Sequence, residues 1–233
     1  MMEFPAIFRV RQTFDGPVVA DVETEVRNQL ATLSLSSVIQ PGQTVAITAG
    51  SRGIHQVAEI LRATVQFLRE LGVSPRIVPA MGSHGGGTAA GQRRVLETLG
   101  ITEQKCGCPI HSSMETVVVC HAQEGFPVYF DRVAYASDHV LVCNRVKPHT
   151  GFVGDVQSGL MKMLLIGLGK HDGATTYHRA IQDYSFGQIV RSVSQEVLQR
   201  CHILGGLAIV ENAYDQTARI EAVHPAKFER RES

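Results

Sequence analysis

The sequence predicts an α/β fold with a mostly parallel, Rossmann-like sheet, helices on both of its faces and an N-terminal β-hairpin. Short apolar runs that favour strands alternate along the 233 residues with amphipathic stretches that favour helices, a rhythm typical of crossover units. The run 138–143 lacks the polar alternation of a half-exposed strand, which indicates a strand covered on both faces. These two observations predict a single α/β domain over residues 1–233.

The first half of the chain supplies the hairpin and two strand–helix pairs. Apolar runs at 7–10 and 18–22 flank the turn-forming pair Asp15-Gly16, which favours a β-hairpin. Apolar residues recur at three- and four-residue steps over 54–71, and Gly72 stands where a glycine commonly ends a helix. In order, the predicted elements are a strand at 43–48, a helix at 54–71, a strand at 76–80 and a helix that ends near 99–100.

The second half continues the same alternation. In order, the predicted elements are strands at 116–120, 128–130 and 138–143, a helix-capable run at 157–168, a helix at 186–200 and a strand at 203–210. After Asn212 the residues are polar and charged, and no closing strand or helix is predicted. We therefore expect this chain to be one domain of a longer protein.

The composition excludes several classes of protein. Lys and Arg together number 22, as do Asp and Glu, so no basic excess is available for a nucleic-acid partner. The longest apolar runs are too short to span a bilayer and the first residues lack a signal-peptide pattern, so no membrane partner is expected. The five cysteines are an odd number, and Cys106-Gly-Cys108 lacks the spacing of a zinc knuckle. We expect a cytoplasmic protein with reduced cysteines.

Two glycine-containing loops follow predicted strands and open predicted helices. In an open α/β sheet, ligands bind beyond the carboxyl ends of the strands. The loops at 49–53 and 82–87 could each hold a phosphate or carboxylate with backbone N–H groups, although ordinary tight turns would have the same glycines. Neither loop has a Walker or dinucleotide-binding pattern. The ligand-binding candidates on these loops are Ser51, Gly53, Gly85 and Gly86.

Three side chains that carry or transfer charge are expected at the same edge of the sheet. His84 lies inside a glycine run, where a histidine has little surface to pack against, and its imidazole can exchange a proton near neutral pH. The segment 144–155 follows the buried strand and brings Lys147 and His149 to the strand end. These residues predict a site for proton transfer to an anionic ligand.

Lys162 and His178 complete the candidate set. Lys162 lies in an apolar, helix-capable run, and a buried lysine readily loses its proton and becomes a nucleophile. The alternative is that the Lys162 side chain extends to water along an apolar surface. His178 follows 16 residues later, close enough to return to the same site as His84 and His149.

These residues resemble the lactate racemase family, whose members use a nickel-pincer nucleotide cofactor. The resemblance covers about 43–212 and corresponds to the larger N-terminal domain of that family. Its motifs are Gly-Ser-His at 82–84, Lys-Pro-His-Thr-Gly-Phe at 147–152, Lys162 and His178. The resemblance implies that this chain is the N-terminal catalytic and cofactor-binding domain of a paralogue, without the family's C-terminal domain.

The resemblance also implies a role for each matched residue. Lys162 would hold pyridinium-3,5-bisthiocarboxylic acid mononucleotide nickel covalently through a thioamide, and His178 would complete the coordination of the nickel. His84 and His149 would be the acid/base pair, and Arg52 would bind the substrate. The implied partners are a small 2-hydroxy acid and the proteins that synthesise the cofactor. The cofactor-binding candidates are Lys162, Ser51, Gly53, Gly85, Gly86 and Lys147.

The implied activity is that of an isomerase, a racemase or epimerase that works by reversible hydride transfer to the lysine-tethered nickel-pincer nucleotide. The α-hydrogen of a 2-hydroxy acid is barely acidic, so it leaves more easily as hydride while a base takes the hydroxyl proton. The sequence departs from the family at 49–52, where Ala-Gly-Ser-Arg replaces the usual Asp-His-Thr-Arg. The stretch 149–162 is also longer than in the founding branch. These departures leave the substrate open.

Two other functions are compatible with the same residues. The chain could be a non-catalytic nucleotide- or phosphate-binding module, in which case His84 and His149 would be dispensable. It could also be a zinc hydrolase that uses His84, His149 and His178 as ligands, although no carboxylate nearby offers an obvious general base.

Overall fold

A central sheet organises the protein, whose computed structural model describes residues 7–148 and 158–232. Within these residues, the order of its five strands is β2-β1-β5-β6-β7, and β3 and β4 form a separate antiparallel pair. The first four strands of the sheet are parallel, and β7 is antiparallel to β6. The strands are β1 Thr44–Ala49, β2 Ser74–Pro79, β3 Thr116–His121, β4 Pro127–Asp131, β5 His139–Arg145, β6 Ile203–Glu211 and β7 Thr217–Val223.

Helices cover both faces of this sheet, which confirms the predicted fold class. Val45 and Ile47 of β1 belong to one buried apolar cluster, whereas Ala46 belongs to a second cluster on the opposite face. None of the helices in 7–148 and 158–232 is long and apolar enough to cross a membrane. The helices are α1 Val22–Ala31, α2 Val57–Glu70, α3 Ala89–Thr98, α4 Glu103–Cys106, α5 Arg132–Tyr135, α6 Leu160–Lys162, α7 Lys170–Ala180, α8 Phe186–Arg200 and α9 Phe228–Glu232.

The two longest predicted helices form where their sequence signals place them. α2 buries the residues that recur at helical spacing, and it ends before Gly72, which has a φ of 80° that glycine adopts without strain. α8 begins after Ser185, whose hydroxyl accepts a hydrogen bond from the backbone N–H of Gln188 while the Gln188 side chain accepts from the Ser185 backbone. This capping box satisfies donors that the first turn of a helix would otherwise leave unpaired.

The predicted N-terminal β-hairpin is wrong. Residues 7–20 form no strand, and Asp21 begins α1 by accepting a hydrogen bond from the backbone N–H of Thr24 at 3.1 Å. Val22, Val26 and Leu30 recur at four-residue steps and are all buried in α1. This helical period outweighs the local preference of the Asp15-Gly16 pair for a turn.

The C-terminal prediction is also wrong, because β7 and α9 follow Asn212. β7 lies at an edge of the sheet and contains Arg219 and Glu221, which pair with each other at 2.6 Å. An edge strand with one exposed face contains polar residues in alternation, so it lacks the continuous apolar run by which β5 is recognised. Helices α1 and α7 are likewise absent from the sequence prediction.

The predicted helical run at 157–168 is divided into two parts within its described residues. α6 is followed by a wider π-helical turn at Met163–Gly167, and α7 begins three residues later at Lys170. Gly167 permits this arrangement, because a Cβ at that position would lie 2.9 Å from the carbonyl oxygen of Ala80. The π-helical turn therefore approaches the end of β2 closely.

The C-terminal helix α9 anchors the segment that contains Lys162. The Glu232 carboxylate accepts hydrogen bonds from the backbone N–H groups of Leu160 and Met161, the second at 3.1 Å. A side chain at Gly159 would collide with this carboxylate. Burial raises the pKa of Glu232 to about 7.

This raised pKa makes the stability of the protein depend on pH. The Glu232 carboxyl is more easily ionised in the unfolded chain, so the free energy of unfolding falls as pH rises from about 4.5 to about 7. The loss reaches up to about 3 kcal/mol above pH 7. We expect Glu232→Gln to remove this part of the decline in urea unfolding measured across that pH range. Equal slopes for the wild type and Glu232→Gln would contradict the assignment.

Candidate active site

A cavity of about 430 Å³ opens at the carboxyl ends of β1, β2 and β5. Its location follows from the topology, because parallel neighbours place their carboxyl ends at the same edge of the sheet. The wall opposite these strand ends is formed by α6, the π-helical turn, α7 and the start of α8. The lining residues are Gly50, Ser51, Arg52, Ala80, Met81, Ser83, His84, Asn144, Lys147, Ser158, Lys162, Met163, Ile166, Gly167, Ala174, His178, Ile181 and Phe186.

The loop that contains His84 is packed directly on the π-helical turn. Gly82 has a φ of 60°, and a Cβ there would lie 3.1 Å from the Ile166 side chain. The Gly82 backbone N–H donates to the Gly167 carbonyl at 3.3 Å, and the His84 backbone N–H donates to the Met81 carbonyl at 3.1 Å. The glycine loop is thus a fixed part of the cavity wall.

His84 has a hydroxyl partner on the neighbouring strand-end loop. The Ser51 Oγ lies 2.5 Å from the His84 Nδ1. Because Ser51 occupies Nδ1, Nε2 is the ring nitrogen that can exchange a proton with a ligand. Partial burial, together with the positive charges of Arg52 and Lys162, lowers the pKa of His84 below its ordinary value. The imidazole is therefore mainly neutral at pH 7.

Lys162 lies across the cavity at the end of α6. The side chain is half-buried, and its Nζ lies 5.9 Å from the centre of the Phe186 ring. Burial, followed by the charges of Arg52 and Lys147, lowers the pKa of Lys162. A lowered pKa increases the fraction of neutral amine, which is the nucleophilic form.

The charge of the cavity favours an anionic ligand. Among the described lining residues, Arg52, Lys147 and Lys162 are cationic and none is a carboxylate. Ile181 and Phe186 form an apolar surface beside these cations. The arrangement suits a flat or apolar group that carries a phosphate or a carboxylate.

The electrostatic influence of Arg52 on His84 can be measured directly. We expect Arg52→Gln to raise the pKa of His84 towards its ordinary value of 6.5, because one of the positive charges that oppose the imidazolium is removed. The measurement is an NMR titration of the His84 ring. Arg27→Gln is the control, since Arg27 pairs with Glu70 on the outer helices and should leave His84 unchanged. A His84 pKa that stays constant in Arg52→Gln would contradict the charge arrangement.

Most of the site residues predicted from the sequence line this one cavity. They are Ser51, Arg52, His84, Lys147, Lys162 and His178. Gly53, Gly85 and Gly86 are not among its lining residues, and His149 lies outside the described residues. Gly85 packs against α3, where a Cβ would lie 2.6 Å from the backbone nitrogen of Gln92. The roles of all these residues stay predictions.

Several lining residues were not identified from the sequence. Asn144, at the end of β5, donates from its side chain to the Gly159 carbonyl at 2.8 Å and so joins the strand end to α6. Its position after an apolar strand was an available signal. Phe186 had no such signal, because its approach to Lys162 depends on how α8 packs.

Metal ligands are sparse in the described part of the chain. No group of three or more His, Cys, Asp or Glu residues within 7–148 and 158–232 is arranged to hold a metal ion. The zinc-site alternative therefore has no complete ligand set among these residues. His178, in the last turn of α7, is exposed and lines the cavity, where it could provide one imidazole ligand.

Comparisons with known proteins show what this chain is similar to. Residues 10–186 match the family model described as the lactate racemase N-terminal domain. The fold is similar to that of the lactate racemase apoprotein from Thermoanaerobacterium thermosaccharolyticum, with a TM-score of 0.67 and 13% sequence identity. That match covers 93% of this chain and 55% of the other, so the chain spans about half the length of that protein. A comparison with curated proteins found no match.

Proposed function

Because the chain belongs to the lactate racemase N-terminal domain family, we propose that it provides the cofactor-binding and proton-transfer part of a 2-hydroxy acid racemase or epimerase. The observation that supports this function is the convergence of Lys162, His84 and His178 on one cationic cavity. His84 is far from Lys162 and His178 in the sequence, and the fold brings all three to the same cavity.

The described residues fit a nickel-pincer nucleotide. Lys162 offers a half-buried amine of lowered pKa for the covalent thioamide, and the Phe186 ring beside it offers an apolar face for a pyridine ring. His178 offers a single imidazole, which suits nickel when the other donors are the sulfur and carbon atoms of the cofactor. Lys147 would bind the phosphate, and Ser51, Gly53, Gly85 and Gly86 are further candidate contacts. The proteins that synthesise the cofactor would be partners.

When bound, the nucleotide supplies a carbon that accepts hydride. The residues of this chain would bind the substrate carboxylate and transfer the hydroxyl proton. Arg52 would bind the substrate carboxylate through a two-pronged pair of hydrogen bonds. As the α-carbon loses hydride, neutral His84 would take the hydroxyl proton at Nε2 and a C=O bond would form, giving a planar 2-keto acid. Return of hydride to the opposite face of the keto acid, together with return of a proton to its oxygen, would invert the centre. His149 is predicted to be the acid/base on that opposite face.

The test uses protein produced together with the cofactor-synthesis proteins. The sample is incubated with single enantiomers of a panel of 2-hydroxy acids, and the products are separated by chiral chromatography. We expect at least one acid to reach a mixture of both enantiomers. Absence of interconversion by a protein whose intact mass shows a bound cofactor would overturn the catalytic proposal.

A second candidate function is a non-catalytic phosphate-binding module. The observation in its favour is the set of three cations on the cavity wall. This function predicts that the protein binds inorganic phosphate equally well after His84→Gln, and that it interconverts no 2-hydroxy acid in the assay above.

A further inference from the structure

A fully buried ion pair lies beneath the loop that contains His84. Lys170, the first residue of α7, and Asp131, the last residue of β4, both have side chains that are 0% exposed, and they approach to 2.9 Å. The Lys170 Nζ also donates to the Pro79 carbonyl at the end of β2. Lys170 has a φ of 55°, a left-handed conformation that a residue other than glycine adopts only at a cost. The surrounding contacts therefore hold Lys170 in place.

Gln92 connects this ion pair to the glycine loop. Its side chain is buried in α3, and its Oε1 accepts from the Lys170 Nζ at 3.3 Å. Its Nε2 donates to the Gly82 carbonyl at 2.8 Å and to the His84 carbonyl at 3.4 Å. A continuous chain of buried polar contacts thus runs from Asp131 through Lys170 and Gln92 to the backbone of His84.

Stability alone does not account for such a chain of contacts. Burying two charges costs desolvation free energy, and a buried ion pair is on average no more stabilising than well-packed apolar residues. Burial indeed lowers the pKa of Lys170, against the opposing effect of the Asp131 charge. What a buried polar network provides is a fixed arrangement of the groups that it joins. Here it joins β4, α7, α3 and the loop after β2.

We propose that Gln92, itself held by Lys170 and Asp131, is a positioning residue that keeps the His84 imidazole against the Ser51 hydroxyl. The proposal rests on the proposed function only where it treats His84 as a proton-transfer group. The short contact of 2.5 Å between Ser51 and His84 requires both strand-end loops to be fixed. The two Gln92 donors fix one of these loops by its carbonyl groups, on either side of Ser83.

The test is an NMR titration of the His84 ring in the cofactor-free chain, combined with a double-mutant cycle. We expect Gln92→Met, which fills a similar volume without donors, to raise the pKa of His84 as the loop relaxes away from Arg52 and Lys162. In a Ser51→Ala background the same substitution should give no further change, because the loss of the Ser51 contact has by itself let the imidazole move away from these two charges. In the loaded enzyme we expect kcat to fall about 10- to 100-fold with little change in KM.

Gln43→Met is the matched control. Gln43 contacts His139 at 3.1 Å at the opposite end of the sheet, so this variant should move the His139 signal and leave that of His84 unchanged.

Two outcomes would overturn the proposal. One is a Gln92→Met protein that is less stable but whose His84 titrates like that of the wild type. The other is a change in the pKa of His84 on Gln92→Met that persists in the Ser51→Ala background. If Gln92→Met does not fold, the same titrations are carried out on Gln92→Asn. If neither variant folds, Gln92 serves only to stabilise the fold and the proposal fails. None of these outcomes depends on the cofactor, so they are distinguishable from failure of the proposed function.

Discussion

Replacing Lys162 with alanine is expected to abolish covalent attachment of the nickel-pincer nucleotide and leave the protein folded. The Lys162 amine is half-buried, has a lowered pKa and lies beside Phe186 on the cavity wall, as an attachment nucleophile requires. The measurement is the intact mass of protein produced together with the cofactor-synthesis proteins. The wild type should gain the mass of the cofactor less the one water that is lost when the thioamide forms, and Lys162→Ala should have the mass of its polypeptide alone.

Two matched variants make this test specific. Lys162→Arg keeps a positive charge near Phe186 but replaces the amine with a guanidinium that does not lose its proton, so it should also lack the added mass. Lys105→Ala removes an exposed lysine that pairs with Glu59 outside the cavity, and it should be modified like the wild type. Cofactor mass on folded Lys162→Ala would exclude Lys162 as the attachment point.

The sequence predicted the individual site residues better than the contacts between them. Lys162 could be identified because a cation in an apolar run is unusual, and His84 because a glycine run offers a histidine no packing surface. The hydrogen bond between His84 and Ser51 left no local signal, since it joins the ends of two strands. The contact of Gln92 with Lys170 joins residues 78 positions apart, so no periodicity could indicate it.

The fold was predicted where apolar periodicity is strong and missed where another effect determines structure. α8 and the buried strand β5 were identified from the pattern of apolar residues alone. The N-terminal hairpin was wrong because Asp15-Gly16 is a local turn signal, whereas burial of Val22, Val26 and Leu30 against the core forms a helix. β7 was missed because its exposed face is polar and its pairing with β6 is a tertiary contact.

Replacing His84 with glutamine is expected to lower kcat for interconversion of the two enantiomers by about 10²- to 10⁴-fold, the usual contribution of a general base. KM should change little, because Arg52 would still bind the carboxylate, and the cofactor should still be attached because Lys162 is unaltered. In the wild type, turnover should fall as the pH drops through the lowered pKa of His84, since the imidazolium accepts no proton from the substrate. That acid limb should be absent from any residual activity of His84→Gln.

The control for this prediction is a second histidine at the opposite end of the sheet. His139 begins β5, whereas the cavity lies beyond the carboxyl end of that strand, so His139→Gln should retain wild-type kcat and its pH profile. Equal losses in the two variants would indicate a general effect on folding, which thermal unfolding of each protein would reveal. Wild-type turnover by folded, cofactor-loaded His84→Gln would show that His84 takes no proton, and the neutral imidazole beside Ser51 would then be a structural contact between the two strand-end loops.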